Sequence, residues 1–508
     1  MNTGALPSDR FSWLWLSAGA ALLPFIQFQT IVPIAAWLAP VCLLRFARVQ
    51  APVVAFPSLV LATYLASLIA LRGVFASPAV YLFGLVGIAN VLPYIVDKFL
   101  ARHLTGFVRT LAFPASYVVV DWAIGRSSLG TLGSPAYSQF GNVPLTQIVS
   151  VTGIWGLVFL ITWFAPVANE ILEYGFQRRA VRYSLVPFLS VLLAVLFYGG
   201  MRVAFLAPVV SDATPTVRVA SLAADRALWR NHEIPPISEL AVGSDELRGS
   251  ARPQFATVLD DLFTRTQQQA QAGAKIVAWS EAAAFVLKED EPTLLARAQT
   301  LARDKGIFLQ IAVVVALRTE HFPFAENRAV LIDPSGKVLW DYLKTIHPLG
   351  DARIFAPGPG VVPVAETVYG RLATVICFDA DFPTLIRQAG QLRADILLVP
   401  AKDWQPIHVM HARVATFRAI ENGCSLVRPT GDGLSIAVDQ LGQVLAIASD
   451  YQTDRLAMVA DVPTRGRPTI FVHVGDSFAY LCFAGLVVLS GMALVGERNG
   501  RRYFAERI

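Results

Sequence analysis

The sequence predicts two kinds of structure in one chain, an α-helical membrane domain of about eight spans and an extracytoplasmic α/β domain. Of the 508 residues, 55% are hydrophobic and 16% are charged, against roughly 25% charged residues in soluble domains. The apolar residues are concentrated in the first 210 positions and in a short stretch near the C-terminus. Between them, short β-type runs alternate with helical ones, which is typical of an α/β fold.

Eight segments have the composition of membrane spans, because a helix needs about 20 mainly apolar residues to cross the hydrocarbon core. The first two are short and are interrupted by Pro24, Pro33 and Pro40, so one re-entrant hairpin is an alternative to two spans. Asp121, near the end of the fifth segment, either snorkels to the membrane surface or lines a cavity. The predicted spans are 11–28, 31–47, 52–71, 78–96, 107–124, 145–167, 184–206 and 477–495.

The placement of Lys and Arg predicts the orientation of these spans, because short cytoplasmic loops carry an excess of both. With the N-terminus inside, the short outer loops contain Arg72 and Arg126. We therefore expect a multi-pass protein of the bacterial inner membrane with segment 208–474 on the periplasmic side. The basic residues on the inner side are Arg10, Arg45, Arg48, Lys98, Arg102, Arg178, Arg179, Arg182, Arg498, Arg501, Arg502 and Arg507.

These features divide the chain into three predicted parts. They are a transmembrane domain of about seven helices (1–210), an α/β domain (211–470), and a last helix with a basic tail (471–508). The net charge of +5 is modest and follows the short loops, so it indicates membrane orientation and argues against a nucleic-acid partner. Two of the four cysteines, Cys42 and Cys482, lie in apolar segments, so no disulfide framework is predicted.

The predicted α/β domain contains apolar runs without alternation, which indicate strands buried on both faces. The tripeptide "PSG" at 334–336 predicts a hairpin turn. The predicted strands are 216–224, 275–281, 307–317, 327–344, 371–379 and 394–401, and the predicted helices are 254–273 and 405–421.

Three reactive side chains, Glu281, Lys344 and Cys377, lie at or just beyond the ends of predicted strands. Singly, each has an ordinary interpretation, as a buried thiol or as the first solvated residue after a strand. Together they favour a site, because ligands gather at strand ends in open α/β sheets. The three groups would suit acyl transfer. The thiolate would be the nucleophile and the carboxylate would take its proton, while the ammonium would lower the thiol pKa and stabilise an oxyanion.

The segments that carry these residues resemble a known family. "WSEAA" (279–283), "YLKTIHPLGD" (342–351) and "ICFDADFP" (376–383) are similar to the Glu-Lys-Cys signature of the nitrilase, or carbon–nitrogen hydrolase, superfamily. "RAIENG" (418–423) and "GDGLSIAVDQLG" (431–442) are similar to its C-terminal segment. The resemblance implies an α-β-β-α sandwich in which the cysteine is the nucleophile, the glutamate the base and the lysine the oxyanion and orientation group.

The rest of the chain resembles the apolipoprotein N-acyltransferase branch of that superfamily. "AYSQFGNVPLTQIVSVTGIWG" (136–156) is similar to its Tyr-Ser-Gln loop, and "VASLAADRALW" (219–229) to its first soluble strand. The resemblance implies that Trp229 contacts lipid and that Asn327 belongs to the next motif. It implies a cofactor-free, metal-free monomer that moves an acyl chain from a membrane phospholipid, through a cysteine thioester, to a diacylglyceryl apolipoprotein.

The chain also departs from the pattern of that family. Asp351 falls near its second acid, and Phe378 and Asp379 stand where it usually has Tyr and Glu. The aspartates keep the charge but shorten its reach by one methylene, which leaves the acyl acceptor open. The alternatives are a membrane-tethered carbon–nitrogen hydrolase (amidase) that uses water, and an acyltransferase with a different amine acceptor.

The sequence "HVMH" places His408 and His411 three residues apart on a predicted helix. Such a pair suits a metal site. The apolar surroundings, and the lack of a further ligand at a suitable spacing, favour instead a packing or polar-network role.

Overall fold

A computed structural model describes residues 11–75, 79–177, 181–206, 215–230 and 235–505. The chain divides into two units, which we call the membrane unit (Met1–Phe205 with Val474–Ile508) and the α/β unit (Leu206–His473). Of the basic residues that predict the orientation, Arg10, Arg178, Arg179 and Arg507 lie outside the described residues.

The membrane unit is helical, and among the described residues six helices are long and apolar enough to cross a membrane. The chain is therefore a multi-pass membrane protein, and the predicted fold class of this part is confirmed. The six helices are Pro52–Ala70, Ala79–His103, Gly106–Gly125, Ile154–Tyr174, Val181–Phe205 and Ser477–Val495.

These long helices contain shorter elements, and other short helices connect them. The α-helices are Ser12–Leu22, Ala35–Val49, Pro52–Ala70, Ala79–Ala89, Leu92–Leu100, Ala112–Gly125, Val143–Thr146, Val149–Thr152, Ile154–Tyr174, Val186–Leu206 and Ser477–Ala505. The 3₁₀ helices are Leu23–Phe25, Ala101–His103, Gly106–Leu111 and Pro135–Gln139, and Val181–Leu185 is a π-helical turn.

Three of the predicted spans differ from the observed helices. The first two correspond to Ser12–Leu22 and Ala35–Val49, which have 11 and 15 residues and are shorter than a full span. The 3₁₀ helix Leu23–Phe25 follows the first of them and contains Pro24, whose ring lacks an N–H and disfavours continuation of the α-helix. The sixth begins at Ile154, because Gly153 adopts a φ of 63°, a left-handed conformation that interrupts a helix.

Asp121 lines a cavity inside the membrane unit. Of the two environments predicted for it, the membrane surface and a cavity, the structure shows the cavity. Its carboxylate accepts a hydrogen bond from Ser134 Oγ at 2.7 Å. The cavity has a volume of about 100 Å³, and polar side chains of Gln27, Ser67 and Asn90 also face it.

The α/β unit contains a seven-stranded and a six-stranded sheet. The first has the order β15-β1-β2-β4-β5-β6, with β3 also paired to β4, and the second has the order β14-β13-β11-β9-β8-β7. The strands are β1 Thr216–Leu222, β2 Ile276–Trp279, β3 Ala284–Leu287, β4 Phe308–Ala316, β5 Ala325–Ile332, β6 Val338–Leu343, β7 Val364–Thr367, β8 Gly370–Thr374, β9 Ile396–Leu398, β10 Ala401–Lys402, β11 Ser425–Arg428, β12 Thr430–Gly431, β13 Leu434–Val438, β14 Val444–Ser449 and β15 Ala457–Pro463.

The central strands of each sheet are parallel and buried. β1, β2 and β4 pair in parallel in the first sheet, and β8, β9 and β11 do so in the second. All residues of β2, β4, β9 and β11 are buried, as strands covered on both faces must be. This arrangement confirms the predicted nitrilase-like α/β class.

Helices accompany the two sheets, and some boundaries differ from the predicted ones. The predicted helix 254–273 begins earlier, at Asp245, because Ser244 accepts a hydrogen bond from the Leu247 amide and caps the helix there. The helices are Arg226–Arg230, Ile237–Val242, Asp245–Gln271, Glu291–Lys305, Pro383–Gln391, His408–Asn422 and Ile470–Val474.

Candidate active site

Cys377 begins a 3₁₀ helix, Cys377–Asp381, which follows strand β8. Its φ of 48° is a left-handed conformation that residues other than glycine rarely adopt. Its amide donates to the Pro400 carbonyl at 2.9 Å. The prediction of a strand through residue 379 is wrong, because Asp379 accepts a hydrogen bond from the Ile376 amide at 3.1 Å and so stabilises the turn.

Glu281 and Lys344 form a buried ion pair next to this turn. Glu281 follows β2 and Lys344 follows β6, and Lys344 Nζ lies 2.6 Å from Glu281 Oε1. Asn327 Nδ2 donates to the same oxygen at 2.8 Å, and the Lys402 amide donates to Oε2 at 2.9 Å. Both oxygens of the carboxylate are therefore fixed by donors from other elements.

The Cys377 thiol completes the cluster. Its hydrogen bond with Glu281 is one of the interactions that lower the pKa of the Glu281 carboxyl group. Cys377 Sγ also lies 3.7 Å from the Lys402 carbonyl oxygen. Lys402 thus contacts the carboxylate through its amide and the thiol through its carbonyl. The structure brings Glu281, Lys344, Cys377 and Asn327 together.

The pKa of the Cys377 thiol differs from the prediction that a neighbouring ammonium lowers it. Burial raises the pKa of the Cys377 thiol, and the Glu281 charge raises it further, so that the Lys344 ammonium does not bring it below its ordinary value. Burial also opposes the charge on Glu281, but Lys344 and the hydrogen bonds from Lys344, Cys377 and Asn327 hold its pKa below the ordinary value. The resting state is a protonated thiol beside a carboxylate that can take its proton.

Asp379 joins the cysteine turn to the segment after Lys344. It is fully buried, with Oδ1 accepting from the Ile346 amide at 2.7 Å and Oδ2 from the Tyr342 hydroxyl at 2.8 Å. Burial raises its pKa to about 6, although the Lys344 charge and these hydrogen bonds oppose the rise. These contacts make Asp379 a structural link between the two segments.

Two other predicted residues lie around the cluster. Asp351 lies in the 3₁₀ turn Asp351–Arg353. Burial raises the pKa of its carboxyl group, whereas the charge of Lys344 lowers it, so the carboxylate lies within electrostatic range of the ion pair. Phe378 is buried, and its ring meets Phe382 edge-on with centroids 5.2 Å apart.

Trp229 lines a cavity of about 180 Å³ beside Glu281. Its ring meets Phe285 edge-on at 5.0 Å, and Lys402 Nζ lies 5.9 Å from the ring centroid, within the range of a cation–π contact. Its indole Nε1 is buried and has no hydrogen-bond partner among the described residues. The cavity provides apolar and polar surface next to the carboxylate.

Sequence reasoning missed a second charged cluster beside Cys377, which we call the His411 network (Asp381, Asp403, His411 and Arg428). His411 Nδ1 lies 2.8 Å from Asp403 Oδ1, and Nε2 lies 3.3 Å from Asp381 Oδ2. Arg428 engages both Asp403 oxygens at 2.8 Å. The predicted polar-network role of His411 agrees with these contacts, but its carboxylate partners could not be inferred from helical spacing.

Together with Cys377, the His411 network includes residue types that also bind metals. Cys377 Sγ, an Asp403 oxygen and a His411 nitrogen lie within 4.8 Å of one another. However, Arg428 engages both oxygens of Asp403, and both ring nitrogens of His411 face carboxylates. A hydrogen-bonded charge network therefore accounts for the arrangement of these side chains.

Comparisons with known proteins agree with this architecture. The carbon-nitrogen hydrolase family matches residues 211–466, half of the chain, and the chain belongs to this family. It is similar to the protein named apolipoprotein N-acyltransferase in Geobacter metallireducens, with 25% identity over 441 residues that cover 79% of this chain and 77% of that one. The protein of the same name in Thermotoga maritima is 25% identical over 432 residues, covering 83% and 78%.

The chain is thus a divergent relative of proteins with that name. Among solved structures, it is similar to an amidase from Nesterenkonia sp., with 20% identity and a TM-score of 0.39, over 55% of this chain and 99% of that one.

Proposed function

We propose that this protein is an apolipoprotein N-acyltransferase of the bacterial inner membrane. The buried cluster of Glu281, Lys344 and Cys377 carries the proposal, because it joins a nucleophile, a base and a cation in one site. The similarity to proteins of that name covers 79% of the chain and so extends beyond the hydrolase domain into the membrane unit. An amidase with a small soluble substrate has no use for six membrane helices.

In the first half-reaction, Cys377 Sγ attacks the ester carbonyl of a phospholipid acyl chain while Glu281 takes the thiol proton. The Lys344 ammonium stabilises the oxyanion. Because the Cys377 amide already donates to Pro400, a main-chain contribution comes from the next amide, that of Phe378. When the ester bond breaks, Glu281 returns the proton to the leaving oxygen, which gives a lysophospholipid and a cysteine thioester.

In the second half-reaction, the α-amine of a diacylglyceryl-cysteine attacks the thioester carbonyl. Glu281 takes a proton from the attacking nitrogen and returns it to the departing Cys377 sulfur, which leaves an amide and the resting thiol. Burial of Glu281, Lys344 and Cys377 keeps bulk water from the thioester, which favours the amine over hydrolysis.

The surrounding residues have supporting roles in this proposal. Asn327 orients the Glu281 carboxylate, and Asp379 holds the cysteine turn against the segment after Lys344. Trp229 contacts the acyl chain or glyceryl group of a lipid in the 180 Å³ cavity. Phe378 shapes the apolar side of the nucleophile, and Asp351 is a second acid beside the ion pair.

The location follows from the loop charges. The excess of Lys and Arg in the predicted inner loops supports an orientation with the α/β unit on the periplasmic face. There the enzyme, as a monomer, uses a membrane phospholipid as acyl donor and an apolipoprotein as acceptor, and the mechanism requires neither metal nor cofactor.

A transfer assay with the purified full chain tests this function. The chain is incubated with phosphatidylethanolamine and a diacylglyceryl-cysteine lipopeptide, and products are identified by mass spectrometry. We expect equal amounts of N-acylated lipopeptide and lysophospholipid, and neither product with Cys377→Ala. Cys424→Ala, at another buried cysteine, is the matched control and keeps the activity.

The other outcomes identify the alternatives. Free fatty acid without lipopeptide product indicates water as acceptor, and acylation of an added small amine alone indicates a different acceptor. Full transfer by Cys377→Ala contradicts the assigned nucleophile.

A further inference from the structure

We propose that His411 is a positioning residue of the active site, an imidazolium that fixes the cysteine turn relative to the segment that anchors Glu281. The inference rests on the proposed roles of Cys377 and Glu281, and concerns a residue that takes no part in the acyl-transfer steps described above.

The contacts of His411 define its charge. Each ring nitrogen faces an oxygen of a different carboxylate, Asp403 at 2.8 Å and Asp381 at 3.3 Å. The Nδ1 contact with Asp403 is a hydrogen bond, and the Nε2 contact with Asp381 is an ion-pair contact. Two carboxylates against one imidazole favour its cationic form. Burial opposes this charge, but the two aspartates outweigh it and raise the pKa of His411 to about 9.

The two aspartates belong to the two segments that form the site. Asp381 is the last residue of the 3₁₀ helix that Cys377 begins. Asp403 directly follows Lys402, whose amide binds Glu281 at 2.9 Å and whose carbonyl lies 3.7 Å from Cys377 Sγ. His411 therefore links the nucleophile turn to the anchor of the base.

The cysteine turn and the Lys402 segment both have local structures that depend on their neighbours. Cys377 has a φ of 48°, a strained conformation that persists only where the surroundings impose it. Lys402 belongs to a two-residue strand, β10, which forms a two-stranded sheet with β12. Helix His408–Asn422, which carries His411, has 15 residues and provides a rigid base for the link.

The network also sets the charge beside the thiol. Asp381 and Asp403 are negative, and His411 and Arg428 are positive, so the four charges cancel. The charged groups that act on Cys377 are Glu281 and Asp403, which raise its pKa, and Lys344 and Arg428, which lower it. A His411 nitrogen lies within 4.8 Å of Cys377 Sγ. Removal of the imidazolium leaves one net negative charge in the His411 network beside Sγ, so the thiol pKa should rise further.

The same helix offers a matched control, His408. Its ring lies against Tyr451 with centroids 5.3 Å apart, and Nδ1 faces the carbonyl of Gln405 three residues earlier. It is one helical turn from His411 and makes neither of the links to Asp381 and Asp403.

The experiment compares His411→Ala, His411→Gln and His408→Ala in the full chain. Alkylation of Cys377 by iodoacetamide is measured by peptide mass spectrometry between about pH 7 and pH 12, in parallel with the lipopeptide transfer rate. His411→Ala should shift the alkylation midpoint upward by about one pH unit and reduce transfer roughly tenfold or more. His411→Gln keeps hydrogen bonding without the charge, so it should show the same shift with a smaller loss of transfer.

His408→Ala should match the native protein in both readouts. A native alkylation midpoint in His411→Gln overturns the inference, and this variant decides the question if His411→Ala does not fold. The proposed function fails separately, if the native protein alkylates normally at Cys377 but transfers no acyl chain. In that case the shift of the midpoint still tests the link between His411 and the thiol.

Discussion

Replacement of Lys344 by methionine removes one half of the buried ion pair and keeps the length of the side chain. The Lys344 and Glu281 side chains are 2% and 5% exposed, and their charged atoms are 2.6 Å apart. Removal of one partner of such a pair costs about 3–5 kcal/mol, because the other charge stays buried without it. Asn327 and the Lys402 amide still bind the carboxylate, so we expect about 3 kcal/mol.

A double variant, Lys344→Met with Glu281→Gln, separates this effect from a loss of packing. Removal of both charges leaves no unpaired ion, so the double variant should lose only about 1 kcal/mol. With Glu281→Gln as the second single variant, the coupling energy between the two side chains is then about 2 kcal/mol or more.

The dependence on pH provides a second signature. In the native protein, the pKa of Glu281 is below its unfolded value, so its stabilisation is present above that value and is lost as the pH falls. In Lys344→Met the carboxylate lacks the ammonium and its pKa rises, so its stabilisation is present at low pH and lost as the pH rises. The deficit in the free energy of unfolding should therefore be larger at about pH 8 than at about pH 5.

Thermal unfolding of the detergent-solubilised full chain, followed by tryptophan fluorescence, measures these differences. A domain of this size loses about 2–4 °C in melting temperature per kcal/mol, so Lys344→Met should melt about 6–12 °C below the native protein. Equal melting temperatures for the single and the double variant, at both pH values, would refute a buried ion pair.

Two further predictions concern the surroundings of the cluster. Asp379→Asn replaces one accepting oxygen by an NH₂ group that opposes the Tyr342 hydroxyl or the Ile346 amide, so acylation should slow roughly tenfold to a hundredfold. The initial burst of lysophospholipid measures this, and an unchanged burst rate would exclude the positioning role. Trp229→Ala enlarges the cavity beside Glu281 and should raise KM for the phospholipid about tenfold with less effect on kcat. Steady-state kinetics with phospholipid in mixed micelles measures both constants, and an unchanged KM would contradict lipid contact.

The residues of the ion pair were accessible to sequence reasoning because regular structure places them. Glu281 lies two residues after β2, Lys344 directly follows β6, and Asn327 lies within β5, with the three strands in one continuous sheet. Apolar runs indicate where such strands end, and side chains at neighbouring strand ends lie close together. The family resemblance supplied the order of the three motifs.

The conformation of Cys377 and the His411 network were not accessible in the same way. The run "TVICFD" predicts a strand, but the hydrogen bonds of the Asp379 carboxylate end it. The four residues of the His411 network come from separate segments of the chain. Their contacts depend on how helix His408–Asn422 packs against the cysteine turn. The spacing of His408 and His411 indicated a pair, whereas the contacts of His411 are with carboxylates distant in sequence.

The central claim is that Cys377 carries the acyl chain between the two substrates. The most direct test is peptide mass spectrometry of the full chain after incubation with phospholipid and no acceptor. We expect the mass of one acyl chain on the Cys377 peptide, removable by hydroxylamine and lost when the lipopeptide is added. An unmodified Cys377 peptide in a preparation that still acylates the lipopeptide, with no thioester trapped at any time point, would contradict the account.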